Sequence, residues 1–152
     1  MKDKLLAFIR AATPFLTVVF LWRLGNPFWN PAGMLALIPI FYCTFIRPVP
    51  WFALFAFIFC FLTDYKADTP LYWTAIFCLC YASRGFQNFI DPTQMDFDGA
   101  PIFLVFWGAG LFILMLTHPG FINILKMIWL FIWGAALYMP ICGIIKRARN
   151  DR

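Results

Sequence analysis

The chain's acids are seven aspartates, with no glutamate, and one of them stands where a carboxylate is expensive. Asp64 closes the apolar run 51–64; Tyr65, Lys66, Ala67, Asp68, Thr69 and Pro70 follow, and a second apolar run then covers 71–83. At about 13 or 14 residues each, these runs reach only about 20 Å as α-helices, short of the roughly 30 Å hydrocarbon core of a bilayer. A carboxylate at such a break needs water or a hydrogen-bonding partner. Two roles are open to Asp64. It either ends a helix in the outer interface, beside Lys66 and water, or it is a buried anchor for a partner helix or a ligand group. The first is the default for a residue at a segment end; short and broken membrane helices lend weight to the second, because membrane proteins build binding sites there.

Other chemistry is hard to assemble. There is one histidine, His118, and few serines or threonines lie within the apolar runs, so no nucleophile finds a base. Cys43, Cys60, Cys78, Cys80 and Cys142 all fall inside apolar runs, where they act as small hydrophobes and suggest neither a disulfide framework nor a metal site. A Gly-rich phosphate loop is absent too. The chain reads as a non-enzyme, without cofactor or metal. Lys126 lies about six residues into the last apolar run, close enough to its end for the long stem to snorkel to the outer interface. It shares a helical face with Trp129/Leu130, Trp133 and Leu137, a candidate packing face towards other helices or a partner. Pro39 and Pro140 are expected to kink their segments. Gly108, Gly110 and the Gly134-Ala135-Ala136 patch offer close helix approach.

The elements that must carry these residues are apolar helices. Apolar residues make up 63% of the 152-residue chain, aromatic ones 21% and charged ones 12%. A soluble domain carries about 25% charge, and a disordered chain lacks this aromatic mass. The expected fold is therefore a single all-α integral membrane domain covering 1–152. Its apolar segments fall at 5–24, Pro31–Ile46, 51–64, 71–83, 101–117 and 121–145. The first is read as a retained span, since Arg10 interrupts it and no small-residue cleavage site follows. Breaker-rich connections separate the segments: 25–31, the Arg47-Pro48-Val49-Pro50 hairpin, the polar stretch 84–99 and His118-Pro119-Gly120. Lys2, Lys4 and Arg10 at one terminus and Lys146, Arg147, Arg149 and Arg152 at the other place both ends in the cytoplasm, which requires an even number of crossings. Six short spans satisfy this; four do if 51–64 and 71–83 form a re-entrant hairpin. The net charge of +5 then belongs to lipid-facing flanks and not to a nucleic-acid surface.

The order of Leu37-Ile-Pro-Ile-Phe-Tyr42, Arg47-Pro48, Leu62-Thr-Asp64, Thr69-Pro-Leu71 and Tyr138-Met-Pro140 before Lys146-Arg147 resembles the rod shape-determining MreD family, especially its alphaproteobacterial members. The likeness covers roughly 24–149. Cys60 stands where the family's Gly-Leu-Leu-x-Asp pattern has glycine, Ala67-Asp68 where Ser-Gly is usual, and Tyr72 where Pro-Leu is followed by glycine; the aspartate is kept. The resemblance implies a non-enzymatic inner-membrane component of the bacterial cell-elongation machinery. Its partner would be the periplasmic scaffold MreC, and through it the actin-like MreB filaments and the peptidoglycan polymerase and transpeptidase. Arg47, Pro48, Asp64, Thr69, Pro70 and Leu71 would form a structural or partner-binding corner. Membrane lipids are a further expected partner, and self-association into a homo-oligomer is left open. Because the family's bundle is likened to the substrate-binding subunits of vitamin transporters, the alternative is a small solute-binding transporter subunit. That reading expects an outer polar cavity lined by Asp64, Lys66, Asp68 and the 28–30 turn.

Overall fold

The structure, a computed structural model, describes residues 2–82 and 99–149. These are helical throughout: α1 (Lys2–Arg23), α2 (Leu37–Phe41), α3 (Phe52–Ala67), α4 (Tyr72–Ala82), α5 (Ala100–Thr117) and α6 (Phe121–Arg149). A 3-10 turn, Pro31–Ala36, leads into α2, and a π-helical turn, Tyr42–Ile46, follows it. Asp91, Asp96 and Asp98, with most of the polar stretch 84–99, lie outside the described residues.

Three helices are long and apolar enough to cross a membrane: Lys4–Arg23, Ala100–Thr117 and Phe121–Arg149. The 29 residues of α6 extend about 43 Å, enough to cross the hydrocarbon and carry Lys146, Arg147 and Arg149 beyond it. α3, with 16 residues, and α4, with 11, are shorter. Large apolar side chains are exposed along α1, α5 and α6, among them Phe8, Phe20, Val105, Leu116, Phe121 and Ile122. In water such a surface would drive association; lipid tails satisfy it.

The segment Pro31–Ile46 is the axis of the bundle. Every residue from Gly33 to Ile46 is buried, as expected of a helix that is hydrophobic all round. α1, α3 and α6 pack on it, Phe41 meets Phe103 and Phe106 of α5, and Phe45 meets Phe77 of α4. Its irregular backbone follows from its sequence. Ala32 and Gly33 adopt left-handed φ values of 53° and 75° before the first turn. Pro39 has no N–H to offer the preceding turn, and the chain widens after it until Arg47 N–H bonds Tyr42 C=O at 2.8 Å, five residues back. The expected break at Pro39 therefore takes the form of a switch from 3-10 to α to π winding. At Pro140 the helix does not end: α6 runs through it, with the ring on an exposed face.

α3 and α4 form a hairpin, and so do α5 and α6. A ladder of rings ties the two together: Trp73 stacks on Trp107 at 5.6 Å, Trp107 on Phe103 at 5.9 Å, and Phe103 on Tyr138 at 4.3 Å. Gly110 and Gly134 make room for it, since a Cβ at Gly110 would lie 2.6 Å from the Trp73 ring and one at Gly134 would collide with Trp107. At Gly110 and Gly134, where close helix approach was expected, the small residues admit tryptophan rings.

Candidate functional site at the Asp64 corner

Asp64 lies in the last turn of α3, which continues to Ala67, three residues beyond the expected end. It is only 1% exposed. Its Oδ1 accepts hydrogen bonds from Trp73 N–H at 2.9 Å and Thr69 Oγ1–H at 3.0 Å. Its Oδ2 accepts from Thr74 N–H at 2.8 Å and from Thr74 Oγ1–H at 2.8 Å. Trp73 and Thr74 are the second and third residues of α4, whose N–H groups have no partner within their own helix. The carboxylate of one helix thus caps the next, supplying acceptors and a negative charge at the positive end of the α4 dipole. The Asp64 backbone C=O also accepts from Asp68 N–H and from Thr69 N–H, the latter at 3.1 Å. One residue closes α3 and opens α4.

Both roles considered for Asp64 are refined by this geometry. The interface role required contact with Lys66 or water, yet the Lys66 ammonium sits over the Trp22 ring, 4.8 Å from its centroid. Asp64 is buried, as an anchor would be, but what it holds is a helix of its own chain and neither a partner helix nor a ligand group. Thr69 joins the site and is half-buried, while Pro70 and Leu71 shape its exposed edge. Arg47 and Pro48 belong elsewhere. They precede α3, along which Asp64 stands about 18 Å from Phe52, so the six expected corner residues divide between two ends of the bundle. At the far end, Arg10, Ala11, Phe15, Val49, Pro50 and Arg149 line a groove.

The turn from α3 to α4 is tight. Asp68 and Leu71 take left-handed φ values of 55° and 51°, which cost a non-glycine residue about 1–2 kcal/mol. Asp68 is exposed, stands just past the end of α3, and occupies the position where the resembled family carries glycine. Asp68→Gly is therefore expected to raise unfolding stability by about 0.5–1 kcal/mol, read as a higher melting temperature in detergent. A lower melting temperature would count against the left-handed turn.

Asn30, expected as part of a breaker-rich turn and, in the solute-binding alternative, of a cavity lining, is a second internal cap. It is fully buried; its Nδ2 donates to Leu21 C=O at 2.7 Å, and its Oδ1 accepts from Leu35 N–H at 2.8 Å. It joins the end of α1 to the start of the axial segment. The available signal was an amide sandwiched between Trp29 and Pro31 in a breaker-rich turn. On α6, the expected packing face of Lys126, Trp129/Leu130, Trp133 and Leu137 packs on the bundle only in part, through Leu130, Trp133 and Leu137. Lys126 and Trp129 are exposed, Trp133 and Leu137 half-buried, and the buried stripe is Leu130, Gly134, Tyr138, Ile141 and Ile145. Gly134 sets that line because only there can Trp107 enter. Among the described residues, no group of histidine, cysteine or aspartate is placed to hold a metal ion. No protein-family model, curated protein or solved structure matches the chain.

Proposed function

We propose that this protein is a non-enzymatic, multi-pass component of the bacterial inner membrane that acts as a scaffold of the MreD type in cell elongation. The observation that carries the reading is the Asp64 cap. The bundle uses its buried carboxylate to hold two of its own short helices in register, as a rigid scaffold requires, and Asn30 does the same between α1 and the axial segment. The solute-binding alternative needs Asp64 in an open cavity, whereas its buried carboxylate accepts from the start of α4 and from Thr69. In the proposed topology the chain crosses six times with both ends cytoplasmic. Fixing α4 on α3 lets two helices too short to span alone cross as a unit. The exposed apolar flanks then face lipid or the membrane helix of an MreC-type partner, with packing as the driving force. Through that partner the protein would connect actin-like filaments to peptidoglycan synthases.

The test is depletion in the native cell, with cell width and sites of wall insertion as readouts. Rounding of the cells is expected, together with co-purification of the MreC-type protein with the tagged full chain. Cells that stay rods with normal wall synthesis would sink the proposal. A reporter fused after Arg152 is expected to be active only in the cytoplasm.

A further inference from the structure

At the Asp64 end of the bundle, two surface grooves meet at one lysine. The first, about 530 Å3, is mostly apolar with a lysine-bearing polar part and lies between the 25–34 turn, the end of α3 and the start of α6, lined by Asn26, Pro31, Lys66, Ala67, Lys126 and Met127. The second, also about 530 Å3, is almost wholly apolar and lined by Phe28, Leu125, Lys126, Ile128, Trp129 and Ile132. Both volumes lie within the roughly 300–1,000 Å3 typical of small-molecule sites. Lys66 and Lys126 come from different helices, and among the described residues neither ammonium has a carboxylate partner. Lys66 is held in place by the Trp22 ring and by Gly25, where a Cβ would come within 2.8 Å of its Nζ. Asp64 and Asp68, each two residues from Lys66 in sequence, do not line the groove.

We propose that these joined grooves bind one anionic phospholipid, its phosphate between Lys66 and Lys126 and a hydrocarbon chain along α6. Three features select a lipid over a free anion or an acidic peptide. Two ammonium groups without carboxylates in an apolar protein require an anion or water. Leu125, Ile128, Trp129 and Ile132 recur at helical spacing, so they form a strip running about 10 Å along the axis of α6, the direction an acyl chain takes beside a spanning helix. Phe28 and Trp129 are exposed at 79% and 48%, as aromatic residues are at the headgroup level of a bilayer.

The test is native mass spectrometry of the full chain released from detergent containing equal amounts of dioleoylphosphatidylglycerol and dioleoylphosphatidylcholine. Wild type is expected to retain the anionic lipid selectively. Each of Lys66→Gln and Lys126→Gln should lower that retention about fivefold, while Lys4→Gln, at the other end of α1, should not. Both groove lysines are exposed, so the variants should stay folded, Lys126→Gln melting with wild type and Lys66→Gln slightly below it through the loss of its contact with Trp22. Ile128→Asn is expected to weaken retention as well, through the hydrocarbon strip. Equal retention of the two lipids, or a Lys66/Lys126 double variant indistinguishable from Lys4→Gln, would overturn the proposal. So would full displacement by millimolar inorganic phosphate, which would assign the binding to the phosphate group alone, or by a poly-aspartate peptide, which would assign the site to an acidic protein segment. Each of these outcomes leaves the scaffold reading standing, because depletion tests it independently.

Discussion

Asp64→Ala is expected to lower the unfolding stability of the bundle by about 3–5 kcal/mol, and with it the amount of protein found in the membrane. The substitution removes acceptors from the N–H groups of Trp73 and Thr74 and from the hydroxyls of Thr74 and Thr69. Trp73 and Thr74 are buried, so water cannot readily replace the carboxylate, and each bared donor costs about 1–3 kcal/mol. α4 has little to offset this, since a helix of 11 residues forms in a protein mainly through its packing. Asp64→Asn should fall between alanine and wild type. It keeps one acceptor oxygen, but its amide group presents donors to donors and gives up the charge at the helix end, a term of up to about 2 kcal/mol. Asp64→Leu should resemble alanine, because apolar volume does nothing for the bared N–H groups. Thermal unfolding in detergent separates the three variants. An alanine variant that melts with wild type would show that the cap does not hold α4. Under the proposed function, the same series should rank co-purification with the MreC-type partner in the order Asp, Asn, Ala.

The sequence reading located this corner because its signals are local. A carboxylate at the junction of two short apolar runs, followed by threonine and proline, marks a place where polar chemistry must be satisfied near lipid. It could not identify the donors, because Trp73 and Thr74 become donors only through being the second and third residues of a helix whose start is set by the turn. The apolar segments were legible from composition and breakers, to within a few residues at most ends. The depth of each helix was less so. Nothing in the order of residues ranks Pro31–Ile46 as the axis, although its lack of charge and its all-round apolarity are compatible with complete burial. The face of α6 that packs within the bundle overlaps the expected one only in part, for a related reason. Lys126, Trp129, Trp133 and Leu137 drew attention as large or charged side chains, whereas the contact line follows the absence of a side chain at Gly134. Packing of a tryptophan into a glycine is a property of two helices together, and one helix's sequence does not reveal its partner.

Gly134 supplies the second large expected effect, with Gly143 in the same helix as its internal control. A Cβ at Gly134 would lie 2.7 Å from Cε2 of Trp107, while one at Gly143 meets nothing within 4 Å. Trp107 cannot yield easily. It is fully buried, stacked between Trp73 and Phe103, and its Nε1–H points to Leu130 C=O at 3.4 Å. Gly134→Ala is therefore expected to cost about 1–3 kcal/mol through overpacking, and Gly134→Val more. Gly143→Ala should instead stabilise, by up to about 1 kcal/mol, since alanine is the better helix former and has open space there. The collision itself can be isolated. Trp107→Leu alone should destabilise by about 3 kcal/mol through lost stacking and a cavity. Combined with Gly134→Ala it should cost about 1–2 kcal/mol less than the sum, because the added methyl enters the space the ring has vacated. Strict additivity would mean that ring and glycine do not oppose one another, and Gly134→Ala behaving like Gly143→Ala would remove the basis for the α5–α6 contact line. If both expectations hold, the ring ladder from Trp73 through Trp107 and Phe103 to Tyr138 carries the register of α4, α5 and α6, and the Asp64 cap fixes that ladder to α3.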